Sequence, residues 1–240
     1  MKVFATDLDG TLVHNKKVKD TDRKAIQDFQ KENLFGVCTG RPLSCLYDVE
    51  GIPFDFYIMC TGALLLDKDR HVIEEHLLDK ELVRDIFNHY KEQANIIVQT
   101  ESVSHFYFTD DIDIPTLTKI KNFEDIHDSK FYSISIVFDT NEEAASYVSD
   151  VQKRYPMVSG YQNKNVIDIV LKGISKGTGV TAIKKHFNAD EMLGIGDSYN
   201  DLPLFKASDH SFTFHSSPDS VKEEVNDVVE SVSEAIYKVI

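Results

Sequence analysis

The sequence predicts an α/β protein in which an open parallel sheet is interrupted by a smaller α+β unit. Three observations carry that reading. Strand and helix alternate through the first third of the chain and resume after Leu171, whereas in the stretch between them the strands from Asn95 to Phe138 follow one another without long intervening helices. Two apolar strands run straight into carboxylates, at Asp7-Leu8-Asp9 and at Asp197-Ser198-Tyr199-Asn200-Asp201. Alternation implies a parallel sheet with right-handed crossovers, and in such sheets ligand chemistry gathers outside the carboxyl ends of the strands, where the strand order reverses.

Val3–Thr6 reads as the first strand and Asp20–Lys31 as a helix that Asp20 or Thr21 can cap. Leu34–Cys38 is a second strand, Leu43–Val49 a short helix and Phe56–Cys60 a third strand. The texture changes after Leu78. Asp79–Gln93 is an amphipathic helix, followed by strands at Asn95–Thr100, Ser104–Phe108 and Phe131–Phe138, with Asp110–Asp113 read as an exposed acidic loop. Glu142–Tyr155 is a helix, and Met157–Gln162 and Val166–Leu171 form a hairpin around Asn163-Lys164-Asn165. The α/β texture returns with Lys176–Phe187 (helix), Met192–Ile195 (strand), Leu202–Lys206 (helix), Ser211–Phe214 (strand), Val221–Glu224 (helical turn) and Ser231–Val239 (helix). The expected division is therefore a core of residues 1–78 and 172–240 with an insertion of 79–171. Because Val166–Leu171 leads directly to Lys176, the two connections are expected to lie close together and act as a hinge.

A hydrophobic content of 42% and a charged content of 28% over 240 residues suit a globular chain with a sizeable core. The net charge of −14 argues against nucleic acid as a partner, which requires a basic surface. Attraction for an anionic substrate must then be local, from a metal and a few Lys or Arg residues. Cys38, Cys45 and Cys60 form no CxxC pair; an odd, sparse set suits a reducing compartment, with Cys38 and Cys60 as small core residues. No charged leader with an apolar segment opens the chain, and no apolar run approaches the ~20 residues of a membrane span, so a cytoplasmic location and no membrane partner are expected. The nine histidines show no metal-ligand spacing, and packing or surface roles are expected for them, His14 included.

Asp7 and Asp9 lie two apart directly after a strand, a spacing that aims both carboxylates at one mouth if the chain kinks at Gly10. Asp7 can then attack phosphorus while Asp9 protonates the leaving oxygen and later activates water; the bland alternative is a solvated turn. A calcium loop also begins D-x-D, but its sixth position would be Leu12 instead of Gly and its twelfth Val18 instead of Glu. Asp197 and Asp201 can reach one Mg²⁺ directly or through water, or simply cap the helix beginning near Asp201. Four carboxylates converging at strand ends repel unless a divalent cation sits among them, which points to magnesium-dependent phosphate chemistry. In Thr39-Gly40-Arg41, Thr39 offers a hydroxyl and Gly40 leaves backbone N–H groups open to an anion. Arg41 either binds phosphate or ties its loop to a neighbouring carboxylate. Lys176 stands at a helix start, the wrong end for a cation, which an anionic partner would explain. The P-loop order G-x-x-x-x-G-K-[ST] is absent.

Taken in order, Asp7-x-Asp9-Gly10-Thr11, Thr39-Gly40-Arg41, Lys176, and Gly196-Asp197 through Asn200-Asp201 resemble the motifs of the haloacid dehalogenase superfamily of phosphatases. The insertion, and Val166-Ile167-Asp168-Ile169 leading into Gly173-Ile174-Ser175-Lys176-Gly177, resemble the α+β cap and its return in the Cof-type sugar-phosphatase branch. The resemblance implies a Rossmann-like core sheet of order 3-2-1-4-5 and an inserted cap. It implies Asp7 as nucleophile, Asp9 as general acid/base, and Thr39 and Lys176 holding the phosphoryl oxygens, with Gly40, Arg41 and Asn200 as further phosphate or substrate contacts. Mg²⁺ would be held by the Asp7 side chain, the Asp9 main-chain carbonyl and Asp197, with Asp201 supporting through water. The branch's Asn-Gly-Ala is here Thr61-Gly62-Ala63, its Gly-Asn-Ala is His215-Ser216-Ser217, and its Asp-Gly-Val is Glu230-Ser231-Val232. These departures leave the catalytic set intact and weaken the transfer of substrate contacts. The expectation is a Mg²⁺-dependent phosphatase for a small phosphorylated metabolite, a sugar phosphate, with the oligomeric state open. A phosphotransferase such as a phosphomutase is the enzymatic alternative. A phospho-aspartate signalling module is the other, but it would have little use for the insertion or for an acid/base two residues from its nucleophile.

Overall fold

The computed structural model describes residues 1–46, 49, 51–101, 104–108 and 117–240. The chain begins with β1 (Lys2–Thr6), α1 (Asp20–Phe29), β2 (Leu34–Cys38), β3 (Phe56–Met59), β4 (Leu64–Asp67) and β5 (Val72–Glu75). A second group follows: α2 (Lys80–Tyr90), β6 (Asn95–Thr100), β7 (Ser104–Tyr107), β8 (Leu117–Lys119), β9 (Phe131–Val137), α3 (Asn141–Arg154), β10 (Val158–Asn163) and β11 (Val166–Leu171). The chain ends with α4 (Lys176–His186), β12 (Glu191–Ile195), α5 (Leu202–Ala207), β13 (His210–Phe214), α6 (Asp219–Lys222), β14 (Asp227–Val229) and α7 (Val232–Tyr237).

The larger sheet runs β14-β13-β12-β1-β2-β3-β4-β5, parallel from β14 to β3 and antiparallel thereafter. Its first five parallel strands in chain order lie 3-2-1-4-5, as expected; β14 extends one edge and the β4–β5 hairpin the other. Central strands of such a sheet are buried on both faces and so read as continuous apolar runs. Phe4 on β1 shows why: its ring packs against Phe29, Phe35 and Phe212 at centroid distances of 5.8, 5.5 and 6.0 Å. The order reverses between β1 and β12, which puts the loop after each strand at one crevice.

The smaller sheet runs β10-β11-β9-β6-β7-β8. Here the side chains alternate. Ile96, Val98, Ile134, Ile136, Ile167 and Ile169 join the apolar cluster that also contains Val83 and Phe87 of α2 and Ala144 and Val151 of α3. The opposite face carries Gln99, Ser135 and Asp168 and turns toward the larger sheet. Two ties hold the units together there: Glu75 accepts hydrogen bonds from Lys130 Nζ (2.7 and 3.0 Å) and Tyr132 OH (3.0 Å). The outgoing connection meets β9 where Leu78 N–H donates to Phe131 O (2.8 Å), and the returning β11 pairs Ile169 with Ile134. Both connections therefore reach β9 near the same end.

Several elements differ from expectation. Of the helix expected over Leu43–Val49, the described residues show a 3-10 turn at Leu43–Cys45, while residues 47 and 48 lie outside the described residues. Helix α1 is preceded by Lys19, whose side chain makes no capping bond; Asp20 and Asp22 lie inside the first turn, and Asp22 instead accepts from Ser233 N–H (2.9 Å), tying α1 to α7. Strands β4, β5, β8 and β14 were not anticipated. The reading of Asp110–Asp113 lies outside the described residues. Among the described residues no helix is long and apolar enough to cross a membrane.

Candidate active site

Asp7 follows β1 directly, and its N–H donates to Ile195 O at the end of β12 (2.9 Å), so the two acidic turns start side by side. Lys176, the first residue of α4, is fully buried between them. Its Nζ donates to Asp7 Oδ1 (2.7 Å) and Asp201 Oδ1 (2.5 Å). A buried ammonium is tolerable only with such partners, and they outweigh its poor placement on the helix dipole. Asp201 Oδ2 accepts from the N–H groups of Asp197 (3.0 Å) and Ser198 (3.1 Å) and so shapes the loop that presents Asp197. Asp197 Oδ1 accepts from Thr11 Oγ1 (3.4 Å). Gly10 has φ +91°, and a Cβ there would collide with the Asp197 carboxylate, so the kink after Asp9 needs glycine twice over.

Carboxylate oxygens of Asp7, Asp197 and Asp201 lie within 4.8 Å of one another. Burial pushes the Asp7 carboxyl up to about 6, with Lys176 opposing and Asp201 reinforcing the shift. Asp197 is likewise raised to about 6, by burial first and the Asp7 charge second, while Lys164 from the β10–β11 turn opposes. Asp201 is raised by burial, and Lys176 is held well above the usual lysine range by the Asp201 and Asp7 charges, which overcome its own burial. One ammonium serving three carboxylates leaves the pocket short of positive charge. A hard oxygen donor set with that deficit fits a divalent cation; both Asp201 oxygens are already engaged, so Asp7 and Asp197 have the free lone pairs. A second acidic group, Asp67, Asp69 and His71, is accounted for by its turn, in which Asp67 Oδ1 accepts from the N–H groups of Asp69 and His71.

Asp9 is not part of the buried carboxylate group. Its carboxylate is 47% exposed and is held by both arms of the Arg41 fork (Nε to Oδ2 2.7 Å, Nη2 to Oδ1 2.5 Å), while Nη1 donates to Cys45 O (2.8 Å). Of the two roles open to Arg41, this arrangement is the tie to a neighbouring carboxylate. Thr39 is buried, and its Oγ1 accepts from Arg41 N–H (3.1 Å). Asp7, Asp9, Thr39, Gly40 and Arg41 line one cavity of about 310 Å³ under the smaller sheet. Asn200 is buried in the turn Tyr199–Asp201 and is absent from that lining.

The other wall holds Gln99, Ser104 and Ser135, which the sequence did not single out, and Asp168, which it marked only as part of the return segment Val166–Ile169 and gave no role. Asp168 is buried, which raises its pKa; the hydrogen bond from Ser135 Oγ (2.6 Å) and the Lys176 charge work against that rise. A Cβ on Gly40 would lie 2.8 Å from Asp168 Oδ2, so the glycine lets the two walls approach. Thr61 Oγ1 faces the same carboxylate and holds its pKa down, but lacks hydrogen-bond geometry. The signal for these residues is in the sequence: in Ser133-Ile134-Ser135-Ile136 and Ile167-Asp168-Ile169, polar residues alternate with isoleucine, as they would on a strand with one polar face.

The haloacid dehalogenase-like hydrolase family model matches residues 4–240. A 5-amino-6-(5-phospho-D-ribitylamino)uracil phosphatase of Bacillus subtilis is 25% identical, over 98% of this chain and 94% of its own length. Among solved structures, a subclass IIB sugar phosphatase superposes with a TM-score of 0.85 at 19% identity, covering 99% of this chain and 98% of its own. A phosphatase from Bacteroides thetaiotaomicron gives 0.84 at 20% identity, covering 100% and 94%. The structural likenesses establish the fold. With the match running almost from end to end, the chain belongs to the haloacid dehalogenase-like hydrolase family.

Proposed function

We propose that this protein is a Mg²⁺-dependent phosphatase that hydrolyses small phosphorylated metabolites, sugar phosphates among them, through an aspartyl-phosphate on Asp7. The observation that carries this reading is the buried Asp7–Lys176–Asp201 ion triad, with Asp197 alongside, at the carboxyl ends of two adjacent parallel strands. Its relatives support it: the Bacillus subtilis protein is named a phosphatase of a phosphorylated ribitylamino compound, and the subclass IIB neighbour a sugar phosphatase. We assign residues 1–78 and 172–240 to a catalytic core and 79–171 to a cap over its crevice, in a protein of the cytoplasm.

In the first step Asp7 Oδ forms a bond to phosphorus, the bond to the leaving oxygen breaks, and protonated Asp9 gives that oxygen its proton. In the second, the Asp9 carboxylate takes a proton from water as the water oxygen attacks phosphorus; the bond to Asp7 breaks, inorganic phosphate leaves, and Asp9 is protonated again. Asp9 can act only when one of its oxygens leaves the Arg41 fork, so Arg41 both orients and restrains it. Lys176 and Thr39 hold the phosphoryl oxygens. Asp7, the Asp9 carbonyl and Asp197 would hold the cation, with Asp201 fixing the Asp197 loop, and a bound cation offsets negative charge on the phosphoryl group.

A screen of phosphorylated metabolites with Mg²⁺, and with EDTA in its place, tests the reading; release of free phosphate separates hydrolysis from transfer to a second hydroxyl. Asp7→Asn should abolish turnover with the circular dichroism spectrum unchanged. Asp9→Asn should cost on the order of 10²–10⁴ in rate. Near-native activity in Asp7→Asn, or indifference to EDTA, would remove the assignment.

A further inference from the structure

We propose that Lys164, at the tip of the β10–β11 hairpin, is an exchangeable counter-ion of the metal centre. It balances Asp197 before a divalent cation binds, opposes that cation, and then holds the phosphoryl group that the cation admits. The inference rests on the phosphatase reading for the chemistry at Asp7, and it gives one residue of the smaller unit a part in binding both ligands.

The hairpin tip stands between two cavities. Asn163 lines the one that holds Asp7 and Asp9, whereas Lys164 lines a second, of about 270 Å³, that holds Asp197. Asn141, Gln162 and Lys164 of the smaller unit form one side of this second cavity, and Asp197, Tyr199 and Ser217 of the larger form the other. Bonds to the main chain fix the tip. Gln162 Nε2 donates to Asn141 O (2.8 Å) and Lys164 O (2.9 Å), and Asn165 Nδ2 donates to Phe138 O (2.6 Å). Lys164 itself sits at φ +55°, in the left-handed region that favours Gly and Asn in turns. The backbone there gains nothing from lysine, so it is the ammonium that needs explaining.

That ammonium belongs to an exposed residue and has no hydrogen bond or ion pair among the described residues. The other two cations at the centre are committed, Lys176 Nζ to Asp7 and Asp201 and the Arg41 fork to Asp9. Asp197 nevertheless senses Lys164, whose charge works against the rise of its pKa. The two act on each other across the cavity without an ion pair, so the attraction is modest and screened by salt. Asp7, Asp197 and Asp201 set against Lys176 leave two negative charges. Lys164 offsets one of them. A divalent cation offsets both, after which Lys164 repels the cation and the phosphoryl dianion becomes the anion it meets. One charge thus acts with opposite sign on the two ligands, which a residue that only shapes the hairpin would not do.

Calorimetric titration of the full chain at neutral pH and low ionic strength gives the Kd of Mg²⁺. Inhibition of p-nitrophenyl phosphate hydrolysis in saturating Mg²⁺ gives the Ki of inorganic phosphate. Lys164→Asn suits the turn and removes the charge: it should tighten Mg²⁺ binding about threefold and raise the phosphate Ki about threefold, with the urea midpoint at or above that of wild type. Lys164→Arg should keep both constants within about twofold of wild type, and in about 1 M NaCl the Asn variant should lose both differences. Constants that move in the same sense, or that do not move, overturn the inference. So does a urea midpoint that falls, which would make Lys164 a support of the hairpin. Wild-type enzyme that binds no Mg²⁺, or that fails to hydrolyse p-nitrophenyl phosphate, overturns the phosphatase reading itself, and this inference with it.

Discussion

Burial raises the Asp7 and Asp197 carboxyls to about 6, so under the function proposed above protons and a divalent cation would compete for the same oxygens. Their folded-state values lie above the ordinary 3.8, so the folded protein keeps protons that the unfolded chain releases. The metal-free protein therefore loses stability as pH rises between about 4 and 6. A cation that binds the ionised form restores it above that window. Millimolar MgCl₂ should accordingly raise Tm more at pH 7.5 than at pH 5, and Asp197→Asn should raise the metal-free Tm while removing the response; equal shifts at both pH values would contradict the assignment. A second residue-scale outcome concerns Thr61, a buried β-branched residue at φ 58° where the resembled branch carries Asn. That backbone region costs a β-branched side chain of order 1–3 kcal/mol, and Asn tolerates it. Thr61→Asn should raise the urea midpoint by the equivalent of about 1 kcal/mol. At this scale the sequence supplied residue types but not partners. Lys176 advertised an anionic partner by standing at the wrong end of a helix, whereas Arg41 gave two equal readings that only the position of Asp9 separates.

Elements were legible where periodicity had room to develop. The strands β1, β2, β3, β12 and β13 stand out as short apolar runs between helices, and the isoleucines of β9 and β11 show their period of two. The β4–β5 hairpin was missed because Leu64-Leu65-Leu66 has no alternation and Val72–Glu75 is an exposed edge half made of glutamate. Strands β8 and β14 have three residues each, too few for any period. The start of α4 was legible for a different reason. Ser175 Oγ accepts from Thr178 N–H (3.1 Å), and Thr178 Oγ1 accepts from Ser175 N–H (2.9 Å), a reciprocal cap that orients the turn carrying Lys176. Ser175→Ala should cost about 1 kcal/mol in urea unfolding. A neutral result would mean that the buried ion triad alone sets this helix start.

Across the whole molecule, the smaller sheet and its two helices enclose an apolar cluster of their own, from Leu78 to Ile169. Under the division proposed above, a fragment of residues 79–171 should show mixed helix and strand by circular dichroism and a cooperative urea transition. A featureless fragment would place the boundary elsewhere. The alternation of texture made an insertion legible in the sequence. It could not give the face the insertion presents to the crevice, because that depends on register with strands far away in the chain. The way the insertion is joined has a further consequence. Leu78 enters beside Phe131, and Ile169 leaves beside Ile134, three residues along one strand and so about 10 Å away. A segment whose two ends nearly coincide is a cassette: it can be lengthened, shortened or exchanged by grafting without moving Asp7, Lys176 or Asp197, and under the function proposed above the choice of substrate could then diversify while the bond-breaking apparatus is inherited unchanged.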